Sequence, residues 1–111
     1  MDVSFDGSAS GNNAKVELVR YTATGTGTVY APLRGNGEAQ NKASLLTAKV
    51  NDTAEPAGGT VIRTWYVPLS GLLPYLLPLG RELYVPVSSW LGVRVTSPVA
   101  INGAVNLEYE E

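Results

Sequence analysis

"TVIRTWYVPL", residues 60–69, decides the fold class. Val61, Ile62, Thr64, Trp65, Tyr66 and Val67 are the β-branched and aromatic residues that suit a pleated, half-buried surface. Pro68 should end this strand or place it at a sheet edge. Its neighbours carry the same signal. In "KVELVRYT" (15–22), Val16, Leu18 and Arg20 fall on one face, and Glu17, Val19 and Tyr21 on the other. "GTGTVYAPL" (25–33) puts Thr26, Thr28 and Tyr30 in register, and "RELYVPV" (81–87) and "WLGVRVTS" (90–97) read as further strands. Turns separate them. "RGNG" (34–37) tolerates positive φ, "NDTAEPAGG" (51–59) is a loop, and Ser97–Pro98 turns the chain. Asn102–Gly103 signals a type I′ hairpin between "VAI" (99–101) and a last strand "AVNLEYEE" (104–111). In that strand Val105, Leu107 and Tyr109 should face inward. "AQNKASLLTAKV" (39–50) suits a short helix or a strand equally. About seven or eight short strands at this spacing predict an all-β chain. The expected architecture is an antiparallel β-sandwich of jelly-roll type, or a small Greek-key barrel.

A length of 111 residues fits one domain. The expected division is a flexible N-terminal arm over residues 1–13, from the linker-like "GSASGNN" (7–13), and a sandwich over 14–111. An arm of that composition should be dispensable for folding. "MDVSFDGSASGNNAK" has no basic n-region and no apolar h-region, so no signal peptide is expected. The uncharged run from Thr64 to Gly80 is too short for a span and is broken by Pro68, Pro74 and Pro78. No membrane association follows from it.

Composition removes whole classes of chemistry. The chain has neither cysteine nor histidine, so Cys/His zinc sites, iron–sulfur clusters and Ser-His-Asp or Cys-His catalysis are excluded. The eight lysines and arginines are spread along the chain, and the net charge is −2. Nucleic-acid binding normally leaves a basic stripe, so none is expected. "GTGT" (25–28) lacks the lysine and third glycine of a phosphate loop and reads as a turn or bulge. Asn51–Glu55 lacks the EF-hand pattern for calcium, and no spacing singles out a carboxylate pair for glycoside hydrolysis. No catalytic residue, metal or cofactor is expected. Trp65 and Trp90, with six tyrosines, would serve as a sugar-stacking platform if they were exposed.

One segment stands apart. "SGLLPYLLPLG" (70–80) brings five leucines and a tyrosine with no charge. Loops run over the surface because their backbone groups need partners. A surface loop so apolar makes a contact patch; the other reading is a plug that closes one end of the sandwich. Leu72, Leu73, Tyr75, Leu76, Leu77 and Leu79 are therefore the candidate interface, with Pro74 and Pro78 holding the segment extended. A small core beside so apolar a segment favours a homo-oligomer.

Taken with "GTGTVYAPLRGNGEAQN" (25–41) and "GRELYVPVSSWLGVRVTSPVAINGAVNLEYEE" (80–111), the chain resembles the capsid decoration, or cement, proteins of tailed bacteriophages. The resemblance covers the overall plan and rests on no diagnostic motif. It implies a jelly-roll homotrimer bound to the major capsid protein on the virion exterior, without catalysis. A related implication is a carbohydrate-binding or host-attachment module of a phage fibre or spike.

Overall fold

The computed structural model describes residues 1–7, 12–30, 48–50, 54–78, 80–81 and 83–108. The described chain is all β and antiparallel throughout, as the alternation in the sequence predicts. The strands are β1 (Asp2–Phe5), β2 (Asn13–Tyr21), β3 (Thr28–Tyr30), β4 (Ala48–Val50), β5 (Thr60–Pro68), β6 (Leu72–Pro74), β7 (Trp90–Thr96) and β8 (Gly103–Asn106). One sheet runs β6-β1-β8, a second runs β5-β2-β7, and β3 and β4 form a separate two-stranded ribbon.

The two three-stranded sheets are related. β1 leads to β2, β5 to β6, and β7 to β8, and each step carries the chain from one sheet to the other. The pair therefore resembles one long three-stranded sheet folded across its middle. The fold line is held by backbone bonds between neighbouring corners. Phe5 N–H donates to Gly71 O (3.3 Å), Leu69 N–H to Asn12 O (3.4 Å), and Asp6 N–H to Asn102 O (3.1 Å). The four-stranded sheets of a jelly roll need further strands. Residues 31–47, with the expected turn at 34–37 and most of the helix-or-strand segment 39–50, lie outside the described residues.

The facing sides of the sheets make the core. Val3 of β1, Val16 of β2 and Val67 of β5 are buried together, with Met1, Phe5, Trp65, Leu73 and Val93 packed around them. β2 is central in its sheet and buried on both faces: Ala14, Val16 and Leu18 point to the core, while Glu17, Val19 and Tyr21 are covered on the outer face. The register between β2 and β5 shifts between Leu18 and Val19, where Ile62 is the extra residue of a bulge. Val61 is thereby placed beside Val19, on the outer face.

Four expectations need correction. The N-terminal stretch is not a loose arm over its length: β1 is the middle strand of its sheet, and Val3 is 1% exposed. Linker-like composition in residues 7–13 hid a short strand that only long-range pairing with β6 and β8 stabilises. "RELYVPV" is not a strand in its described residues. Both edges of β2 are already taken by β5 and β7, and the Arg20 guanidinium instead binds Tyr84 O at 3.0 Å. The chain then turns, with Ser89 N–H donating to Pro86 O and Ser88 at φ +64°. Asn102–Gly103 is no hairpin: β8 begins at Gly103 and pairs with β1, nearly a hundred residues earlier in sequence. Asn102 uses its side-chain amide to donate to Asp6 Oδ2 (3.0 Å). Finally, Val105 and Leu107 are more than 40% exposed. Val105 sits opposite buried Val3, but at the sheet edge, where little covers it.

Candidate contact surface

Segment 72–78 settles into a two-sided extended run. Its burial alternates residue by residue: Leu73, Tyr75 and Leu77 are half-buried, while Leu72, Pro74, Leu76 and Pro78 are exposed. Leu73 sits opposite Val3 in the ladder and packs on the core. The Tyr75 ring lies 4.9 Å from that of Trp65, tilted by 59°. The other side keeps Leu72 62% exposed and Leu76 82% exposed. The six candidate residues thus divide. Leu73, Tyr75 and Leu77 serve the sandwich, Leu72 and Leu76 are presented outward, and Leu79 lies outside the described residues. One side of the segment packs toward the sandwich, as a plug would, and the other leaves Leu72 and Leu76 exposed.

The prolines fall on the outward phase, and the ladder shows why. Met1 and Tyr75 exchange both backbone bonds: the Met1 ammonium donates to Tyr75 O (2.8 Å) and Tyr75 N–H to Met1 O (2.7 Å). In an antiparallel pair such exchanges alternate with non-bonded positions. Pro74, opposite Asp2, is therefore a non-bonded position. Its nitrogen points to the edge of β6 that has no partner strand among the described residues, where an amide hydrogen would invite another strand. Proline removes that donor, and a three-residue edge strand is itself a poor template. The patch offers leucine side chains on a segment with a blunted edge.

A second apolar feature lies at the opposite edge of the same sheet. A groove of about 390 Å³ opens between β7 and β8, with Val3 and Phe5 among its lining and Val95, Val99, Ile101 and Val105 around it. Other large exposed apolar residues are Tyr84 (76%) and Val87 (93%) in the 83–89 turn, and Val29, Tyr30 and Val50 on the β3–β4 ribbon. Tyr30 and Tyr84 belong to the tyrosines weighed for sugar stacking, whereas Val29, Val50 and Val87 carry no such signal in the sequence. Val87 follows a proline in a turn, where the residue pattern predicts a strand.

The outer face of the β5-β2-β7 sheet has a different character. Glu17 is buried there at 5% exposed. Arg94 Nε donates to Glu17 Oε2 at 2.8 Å, and Lys15 Nζ lies 3.4 Å from Oε1. The Arg94 hydrogen bond, aided by Lys15, outweighs the opposing effect of desolvation and holds the Glu17 carboxyl below its ordinary value of 4.5. Arg94 also pairs with Glu55, which accepts a hydrogen bond from Tyr21 Oη at 3.3 Å. Burial, then the nearby Glu55 charge, raises the Tyr21 hydroxyl above its ordinary value. The Tyr21 ring lies between two glycines. A Cβ at Gly59 would stand 2.9 Å from Tyr21 Cε1, and one at Gly92 would stand 2.8 Å from Cε2.

The rest of the expected chemistry has structural employment. The carbonyl of Gly25, in the glycine-rich stretch, accepts a hydrogen bond from Lys49 Nζ (2.7 Å) on the way into β3. Glu55, the last residue of the calcium candidate, is engaged by Arg94 and Tyr21; residues 51–53 lie outside the described residues. No family of known proteins, no curated protein and no solved structure matches this chain.

Proposed function

We propose that the chain is a structural protein that works by contact: a capsid decoration, or cement, protein that binds the outside of a phage head as an oligomer. One observation carries this reading. Leu72, on the short edge strand β6, and Leu76, just beyond it, stand exposed where Pro74 removes an outward donor and so discourages strand addition. Such an edge is suited to side-chain docking on a defined partner and guarded against open-ended pairing. Extended and partly clamped by Tyr75 on Trp65, the segment is preorganised, so little conformational freedom is lost on docking.

The patch on β6 and the groove beside β8 lie at opposite edges of one sheet. Complementary features on different faces of a subunit suit a head-to-tail contact, which closes into a ring when the rotation allows. A homotrimer on the major capsid protein is the form proposed. The sugar-binding alternative loses part of its basis, because Trp65 packs against Tyr75 and Trp90 is half-buried; the exposed Tyr30, Tyr66 and Tyr84 are its remaining support.

An antibody raised against the chain, applied to intact phage particles from the source, tests the assignment. Head labelling is the expected result. Label confined to fibres or spikes, together with a signal on a glycan array, would favour the attachment reading instead.

A further inference from the structure

The Arg94 network joins two elements that backbone pairing does not join. Glu17 belongs to β2, at the centre of its sheet. Glu55 belongs to the 54–59 loop that leads into β5. Arg94, on β7, holds both at once through different guanidinium nitrogens. Tyr21 adds its hydroxyl to the same Glu55 oxygen that Arg94 binds. The loop backbone rests on what lies beneath. Thr22 Oγ1 donates to Ala57 O at 3.5 Å, and Gly59 approaches the Tyr21 ring and Val19 too closely for any side chain. Val19 and Tyr21 are buried in consequence, although they point away from the sandwich core.

Within the described residues Arg94–Glu55 is the ionic tie between loop and sheet, and it stands beside the Thr22–Ala57 bond and the packing of Gly59 on Tyr21. No backbone-to-backbone hydrogen bond joins residues 54–59 to the sheet among the described residues, beyond the ladder that starts at Thr60. We propose that Arg94 and Tyr21 form an acid-released latch on the 54–59 loop, fastened through Glu55 and opened when the carboxylates of this cluster take up protons.

The charge balance gives the direction. At neutral pH the facing groups are Lys15, Glu17 and Tyr21 from β2, Arg94 from β7, Tyr66 from β5 opposite Lys15, and Glu55 from the loop. Two cations face two carboxylates, and the tyrosines are neutral. When the carboxylates are protonated, Lys15 and Arg94 remain charged on either side of Glu17 and repel. Arg94 then has no anion to bridge, and the Glu55 carboxylic acid accepts from Arg94 only as a neutral group, a weaker tie than the ion pair it replaces. The loop is the element free to leave, because Glu17 and Arg94 are fixed in the ladder opposite one another. Opening exposes Tyr21 and Val19 while the core between the sheets stays closed.

Hydroxyl-radical footprinting read at single residues tests the latch, with core-packed Tyr75 as the internal reference. The wild-type chain should protect Tyr21 at about pH 7 and show several-fold greater Tyr21 oxidation once the pH falls well below the ordinary carboxylate range, at about pH 2–3, with Tyr75 unchanged. Glu55→Gln, which carries the neutral form of the side chain at a half-exposed loop position, should reach the acid level of Tyr21 oxidation at about pH 7. The proposal is overturned if Tyr21 stays protected in Glu55→Gln. It is equally overturned if Tyr75 oxidation rises with that of Tyr21 in acid, because the event is then global unfolding.

Discussion

Gly92 and Gly59 show how much a single missing atom can set. Tyr21 lies over both, and the ring takes the space a Cβ would fill. Gly92→Ala forces the ring or the strand to move, at a cost of about 1–3 kcal/mol, the usual range for overpacking. Urea unfolding should show that loss as a lower midpoint with an unchanged slope. Glu17 sets a pH dependence at the same scale. Its folded-state value lies below the ordinary 4.5, with the Arg94 hydrogen bond as the first cause. Stability from this group is therefore present above the unfolded value and lost as pH falls through the folded one. A melting-temperature series in pH should show the wild type above Glu17→Gln near neutrality, with the gap closing in acid. A gap that stayed constant with pH would remove the ion pair as its cause. The candidate residues 72–77 were legible individually as apolar, but their two roles were not. The phase of the alternation was set by Met1 pairing with Tyr75, a contact across 74 residues.

β1 is the element that the sequence concealed and the fold depends on. β6 and β8 pair with it and not with each other, so removing it leaves both without a partner. Deletion of residues 1–6 should abolish cooperative thermal unfolding, in contrast with the dispensable arm that the composition suggests. Retention of a sharp transition after that deletion would contradict the strand order. β6 gives the opposite kind of expectation. Pro74→Val restores an amide hydrogen at the free edge without disturbing a ladder bond, since Pro74 is not a bonded position. Monomer-dispersed protein should then form thioflavin-positive aggregates faster than the wild type during prolonged incubation. Equal rates would show that proline is not what guards this edge.

At the scale of the whole molecule, the decisive comparison sets an outward leucine against an inward valine. Leu76 is exposed, whereas Val93 packs on the core. Leu76→Glu should lower the light-scattering mass to that of a monomer and leave the melting temperature nearly unchanged. Val93→Ala should keep the oligomer and lose about 1–2 kcal/mol of stability from buried methyl groups. A wild-type mass that is monomeric at every concentration would remove the homo-oligomer. A Leu76→Glu chain that fails to fold would place Leu76 in the core instead of at a contact.

The sequence alone determined the fold class, because burial on one face of a strand requires alternation and alternation survives in the letters. Val16, Leu18, Val93 and Val95 announced their strands, and the missing cysteines and histidines removed several catalytic classes outright. Tertiary structure decided the pairing. Whether Asn102–Gly103 made a hairpin depended on β1 being available to β8, and whether "RELYVPV" became a strand depended on β2 having a free edge. Those are competitions between distant segments, won through contacts that no local stretch encodes. The same holds for Glu17. Lys15 two residues away offers a local counter-charge, but only the arrival of Arg94 from β7 adds the closer, hydrogen-bonded one that suits a buried carboxylate.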